Sequence, residues 1–333
     1  LDGGSGSVKI GRGAKFATTA AVALAAVAAT ATGAAATGVA GATGQATGKT
    51  GVVVSFYPLE EAAKAIAGSR ATVTNLTPPG GSSHDLELTP ARLVALERAS
   101  VVLYLGRGFQ PAVEKAVDNL EGSARTTDLL AGLPLRSGDK AVPGVVGEVD
   151  GEVLADGNDP HVWVDPRLFA RMVDGIRDAL IAADPAGKAA YTANARRYTA
   201  RLAALDREFA ATLRRCTTRV LVTSHAAFGY LADRYRLLQA PIAGISPDAE
   251  PSPRSIAATA TFAKRNKVRT VFFETLVPKK LAETVAAEIG ASTDMLDPIE
   301  GIPAAELRKG ATYFTIQRAN LASLKKGLGC TGV

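Results

Sequence analysis

Short hydrophobic tracts alternate with helical patterns over most of this chain. Val52–Tyr57, Val101–Leu105 and Val220–Thr223 are strongly apolar, and stretches rich in Ala, Leu and Arg lie between them. That alternation predicts an α/β fold. The first half opens with a strand at "VVVSFYP", a helix from about Leu59 to Ala67 and a second strand at "ATVTNL". A turn-rich loop, "TPPGGSSHDLELTP", leads to a helix over Ala91–Ala99, the strand "VVLYLG" and a helix near Gln110–Leu120. From Ala131 to Asp159 neither period holds, and the acids Glu148, Asp150, Glu152, Asp156 and Asp159 accumulate. An irregular segment of that length is usually functional or mobile.

After Asp165-Pro166 the pattern is helical through "RLFARMVDGIRDALIAA", and a long helix is expected over about Pro185–Arg214. Its charges fall on several faces, which suits a connector running along the outside between two lobes. The second half repeats the theme with the strand "RVLVTS", the helix "AAFGYLADRY", the loop "PIAGISPDAEPSP", a helix over 253–265 and the strand "VRTVFFE". A helix over 278–289, a short strand before "LDP" and an amphipathic helix over about Ile316–Leu328 complete it. The expected organisation is a leading segment over 1–50, a first lobe over 51–185, a connecting helix over 186–214 and a second lobe over 215–333.

The leading segment has the marks of export. Lys9, Arg12 and Lys15 precede the apolar "FATTAAVALAAVAA", and Ala29–Ala31 offers a small-residue cleavage site. Those fourteen residues are mostly alanine, too few and too weakly apolar to span a bilayer. The Gly/Ala/Thr-rich stretch after them reads as a flexible tether. Export in turn changes the reading of the two cysteines. In an oxidising compartment Cys216 and Cys330 pair by default, pinning the carboxy-terminal tail to the segment before a core strand.

Charge and composition narrow the classes of partner. Hydrophobic residues make up 47% of the 333, ample for buried cores. The net charge is +6, but Lys9, Arg12, Lys15 and Lys49 against Asp2 place +3 of it in the first fifty residues. Aromatics are only 5%, and no basic stripe with interleaved aromatics runs along the sequence, so nucleic acid is not an expected partner.

The candidate chemistry lies in three histidines. His84 follows a strand and Gly-Gly; His161 sits in "GNDPHVWVDP", between two Asp-Pro pairs and beside the only tryptophan; His225 directly follows "VLVTS". In open α/β sheets the loops beyond the carboxyl ends of strands form the ligand crevice. Three imidazoles in such positions point to a shared divalent metal, because neutral imidazole is the commonest metal ligand. Glu274 and Asp297 are carboxylates at matching positions, and one of them would complete a tetrahedral shell. That donor set suits Zn²⁺ better than Mn²⁺, which favours more oxygen and higher coordination. Asp85 and Asp165 are placed either to orient histidines or to cap a following turn.

The segments "PPGGSSHDLELTP", "DPHVWVDP", "TSHAAFGYLADRY", "ISPDAEPSP", "VFFETLVPKKLAE" and "MLDPIEG" together resemble the metal-binding receptors of ABC-type zinc and manganese importers. These are the cluster A-I, ZnuA/TroA-like solute-binding proteins, and the resemblance spans about residues 51–330. It implies two Rossmann-like α/β lobes joined by one rigid helix, with a metal in the interlobe cleft. Carried across by position, the ligands are His84, His161, His225 and Asp297, with Glu274 the other candidate for the fourth place. Manganese-type members tend to have a carboxylate where this chain has His225, which tilts the metal to zinc. Three departures stand out. Ser83 precedes the first histidine where members often have Pro or Glu, the 131–159 segment has acids but no histidines, and no cysteine follows the apolar segment to support lipid anchoring.

The expectation is therefore an exported, monomeric receptor, periplasmic or at the outer face of the cytoplasmic membrane, that passes Zn²⁺ to a permease. Two other classes compete with it. A zinc hydrolase would use Glu274 as general base, but the chain has no HExxH, no GxSxG and no spare histidine. A surface adhesion protein would hold the metal only structurally.

Overall fold

The structure is a computed structural model, and it describes residues 49–122, 124–138, 157–247 and 250–331. The export segment and tether expected over 1–48, and the acids Glu148, Asp150, Glu152 and Asp156, lie outside the described residues.

Two four-stranded parallel sheets form the body. In the first, β1 (Thr50–Val54), α1 (Tyr57–Ala67), β2 (Ala71–Asn75), α2 (Pro90–Glu97), β3 (Val101–Tyr104), α3 (Pro111–Asp118) and β4 (Arg125–Asp128) follow one another, with strand order β2-β1-β3-β4. Then come α4 (Pro166–Ala183) and the long α5 (Lys188–Leu213). The second lobe comprises β5 (Val220–Thr223), α6 (Gly229–Tyr235), β6 (Leu238–Pro241), α7 (Pro253–Arg265), β7 (Thr270–Phe273), α8 (Lys279–Ile289) and β8 (Ser292–Met295). Its strand order, β6-β5-β7-β8, repeats that of the first, and α9 (Ala304–Arg308) and α10 (Tyr313–Gly327) close the chain.

The inner strands β1, β3, β5 and β7 are the apolar runs visible in the sequence, because helices cover both faces of a parallel sheet. The edges are different. β4 is "RTTD" and half exposed, and β6 is "LQAP", whose proline is tolerated at an edge where one side of the ladder is unpaired. Neither showed a strand period.

The long helix does more than connect. Tyr191, Ala195, Tyr198, Leu202, Leu205, Phe209 and Leu213 are buried, a stripe spaced three and four residues apart. This stripe packs on α1 and α4 of the first lobe and on α6 and α10 of the second. One hydrophobic cluster consequently runs through both lobes, from Val52 to Leu328. The helix expected as an outside connector thus has one embedded face. Cys216, just beyond α5, is disulfide-bonded to Cys330, just beyond α10. Among the described residues no helix is long and apolar enough to cross a membrane.

Candidate metal centre

Each histidine is delivered by a different local device. His225 sits at the end of the buried strand β5, where its backbone N–H donates to the Glu274 carboxylate at 3.0 Å, and Glu274 directly follows β7. His161 lies at the start of a short 3₁₀ turn, Val162–Val164, and its N–H donates to Asp159 Oδ1 at 3.0 Å. His84 comes from the turn-rich loop after β2, where Gln110 holds the Ser83 carbonyl at 2.9 Å and the Phe109 ring meets the imidazole edge-on at 4.8 Å. Three distant segments thus converge at one end of the two sheets.

The meeting point is a single carboxylate oxygen. Glu300 Oε1 lies 3.1 Å from His161 Nε2, 3.1 Å from His225 Nε2 and 3.5 Å from His84 Nε2. One ligand atom from each of His84, His161, His225 and Glu300 falls within 4.8 Å of every other. A tetrahedral zinc with ligands at roughly 2.0–2.2 Å holds them about 3.3–3.6 Å apart; the His84 separation falls in that range and the other two lie just below it. His84 Nε2 is buried, and its 3.5 Å approach to Glu300 is too long for a good hydrogen bond, which leaves its lone pair available to a ligand. The residues present fit a divalent ion.

The far side of two rings is also held. His161 Nδ1 is 2.8 Å from Asp159 Oδ1, and His225 Nδ1 abuts Glu274 Oε2. Such carboxylates fix ring orientation and raise the basicity of the opposite nitrogen. They also govern the protons of the ion-free centre. Burial alone would lower the His225 pKa, but the charges of Glu274 and Glu300 outweigh it and push it up to about 10. His161 is raised too, burial being overcome by Asp159 and Glu300. Burial lowers His84, with Glu300 only partly offsetting it. Glu300 is held well below the usual carboxylate range: burial opposes ionisation, but the surrounding imidazoles prevail.

The fourth position needs a correction. Asp297 is not among the converging atoms; its Oδ1 accepts the backbone N–H of Ile299 at 2.7 Å. Burial raises its pKa to about 6. Its backbone is in turn clamped by Asn320, which accepts the Asp297 N–H at 2.8 Å and donates to its carbonyl at 2.7 Å. Glu274, the other candidate, is occupied by His225 and stands behind the ring instead of beside the ion site. Glu300 is not among the carboxylates expected from the sequence, although it lies in "LDPIEG". Its signal was a carboxylate followed by glycine three residues beyond a strand-end aspartate. The partner of His161 was likewise Asp159, whereas Asp165 caps α4 by accepting from Arg167 N–H at 2.8 Å, and Asp85 is exposed.

The surroundings bind the lobes together at the same spot. Trp163 Nε1 donates to the Pro298 carbonyl at 2.7 Å, and Tyr313 Oη donates to the Trp163 carbonyl at 2.7 Å. A Cβ on Gly301 would sit 2.6 Å from the Gly81 carbonyl oxygen, so the loops carrying His84 and Glu300 touch backbone to backbone. On the other flank, Tyr230 of α6 donates to the Asp159 carbonyl at 2.6 Å and accepts the Arg136 N–H at 2.8 Å. Arg136 reaches Asp233 of the same helix at 3.2 Å.

Comparison with known proteins finds zinc-uptake and zinc-binding relatives. The chain is 35% identical over 283 residues to the high-affinity zinc uptake system protein ZnuA of Bacillus subtilis, covering 84% of this chain and 88% of that one. The zinc-binding lipoprotein AdcA of Streptococcus pneumoniae is 34% identical over 288 residues, which are 85% of this chain and 56% of AdcA. This chain therefore spans about half the length of that streptococcal relative. Among solved structures, the Zn(II)-bound ZnuA-like domain of Streptococcus pneumoniae AdcA is similar with a TM-score of 0.71 and 32% identity, covering 84% of this chain and 99% of that one. The family model for ZnuA, described as zinc-uptake complex component A periplasmic, matches residues 52–327, and the chain belongs to that family.

Proposed function

We propose that this protein is an exported receptor that captures Zn²⁺ in the interlobe cleft and hands it to an ABC-type import permease. One observation carries the reading: three imidazole Nε2 atoms from separate segments surround the single oxygen Glu300 Oε1 at 3.1–3.5 Å. His84, His161, His225 and Glu300 are then the ligands, with Asp159 and Glu274 orienting two of the rings. Three nitrogens and one carboxylate favour zinc over manganese. Four protein ligands also complete a tetrahedral shell without water, which supports carriage over hydrolysis, since a catalytic zinc keeps a position open. The chain's own part in release is electrostatic. Two rings with raised proton affinity stand ready to take protons as the ion leaves, so the buried carboxylate is never left unpaired.

Titration of the full chain with zinc against a competing chromogenic chelator tests this. One ion should bind per chain with sub-micromolar affinity, and His161→Ala should reduce that affinity by at least ~100-fold, as loss of a direct ligand exceeds the 10–100-fold usual for an outer partner. Wild-type affinity no better than that of a His84→Ala/His161→Ala/His225→Ala variant would overturn the assignment.

A further inference from the structure

We infer that the end of the second lobe remote from the metal centre is a docking surface for long-chain inorganic polyphosphate. In a parallel α/β sheet the helices run back against the strands. The starts of β5–β8 and the ends of α5, α6, α7 and α10 therefore share one end, while His225, Glu274 and Glu300 lie at the other. Direct contacts tie that remote end together. Arg219 donates to the carbonyls of Leu213, Tyr235 and Arg236, and the Arg215 carbonyl accepts from Thr331 N–H at 2.8 Å.

This end gathers cations. Arg214 and Arg215 follow α5, Arg236 follows α6, and Lys267 and Arg269 lead into β7. All five are exposed, and none has a carboxylate partner among the described residues. Lys264 and Arg265 at the end of α7 extend the surface, where Glu288 is the neighbouring acid, and Lys326 is paired with Asp294 at 3.2 Å. Arg214, Arg219, Arg234 and Arg236 line one shallow cavity that can seat an anionic group, although Arg234 is already bound to Asp206 at 2.7 Å.

Helix-end electrostatics explain only part of this. Cations in a last turn complement the macrodipole, which accounts for Lys264 and Arg265. Arg236 and Lys267 are different. They have φ of 57° and 53°, in the left-handed position just past a helix where glycine or asparagine is usual, yet both are long cations. A phosphate-bearing polymer fits better than a bilayer, because a membrane gripping this end would turn the metal cleft away from it. The polymer leaves the cleft free.

The test is anisotropy of end-labelled long-chain inorganic polyphosphate with the full, metal-free chain, chelator present, against Arg214→Glu/Arg236→Glu/Arg269→Glu. Wild type should bind at ~0.15 M salt and weaken steeply as salt rises, as counterion release requires. The variant should lose at least ~10-fold, and the Gln version of the same triple, which removes charge without reversing it, should fall between. Zinc affinity and melting temperature should stay at wild-type values in both. Absence of wild-type binding, equal binding by the variants, or tighter binding to phosphatidylglycerol vesicles than to the polymer would each overturn the proposal.

Discussion

Asp297 and Ile299 form the turn that precedes Glu300: the aspartate Oδ1 takes the isoleucine N–H at 2.7 Å, and Ile299 is held at a φ of 63°. A β-branched residue in the left-handed region is disfavoured and persists only where neighbours fix it. Here the turn swings the next side chain, Glu300, onto the three imidazoles. Glu300→Ala should therefore lower zinc affinity by at least ~100-fold, and Asp297→Ala by the ~10–100-fold typical of an outer partner. Asp297→Asn keeps the acceptor oxygen and should stay close to wild type. Chelator-competition titration ranks the three, and a larger loss for Asp297→Asn than for Glu300→Ala would reverse the roles given to the two carboxylates.

Zinc should arrive by displacing protons. With His225 pushed up to about 10, that ring binds a proton at neutral pH in the ion-free centre, and Asp159 and Glu300 shift His161 in the same direction. Affinity should fall as pH falls. Calorimetry in two buffers of different ionisation enthalpy at neutral pH should show net proton release. Glu274→Gln removes the charge behind His225, so release should drop by about one proton and affinity by ~10–100-fold.

The same shift has a stability consequence for the chelated chain. His225 rises above its unfolded value near ~6.5, so its contribution is fully present below that pH and is lost as pH climbs toward 10. Metal-free wild type should thus lose more melting temperature between neutral pH and pH 10 than Glu274→Gln does. Equal slopes would mean the carboxylate does not control the ring.

Gly301 tests the backbone contact between the loops. A methyl group there meets the Gly81 carbonyl oxygen at 2.6 Å, and neither partner is a flexible side chain. Gly301→Ala should cost ~1–3 kcal/mol in urea denaturation, the range for overpacking. It should also weaken zinc binding by separating His84 from Glu300, whereas Gly290→Ala, which meets nothing within 4 Å, leaves binding unchanged.

Removing the disulfide should separate stability from binding. Cys216 and Cys330 close a span of 114 positions, and Cys216→Ser/Cys330→Ser should destabilise by about 2–4 kcal/mol. The bond lies at the end of the second lobe away from the ion site, so zinc affinity measured well below the new melting temperature should be unaltered.

How much of this could be read from the amino acids follows a physical line. The inner strands were legible because both faces are buried, leaving runs such as "VLVT"; the edge strands "RTTD" and "LQAP" were not, since one side meets solvent and their partners come from elsewhere in the chain. The three imidazoles were legible because histidine is scarce and each sits next to turn residues. Glu300 was not, because acids are plentiful and what singles it out is tertiary: an Asx turn at Asp297 and a left-handed Ile299 aim it inward. The buried stripe of α5 was hidden by the charges between its members.

The indole that crosses from one lobe to the other gives the molecule its own lamp. Trp163 is the one tryptophan in the chain, its ring lies 5.1 Å from that of His161, and its N–H is anchored on Pro298, two residues before Glu300. Any gain or loss of positive charge on that imidazole, or any parting of the lobes, alters the surroundings of a single emitter. Occupancy and opening can accordingly be followed by intrinsic tryptophan fluorescence, on untagged protein and in real time, with excitation beyond the absorption of the seven tyrosines.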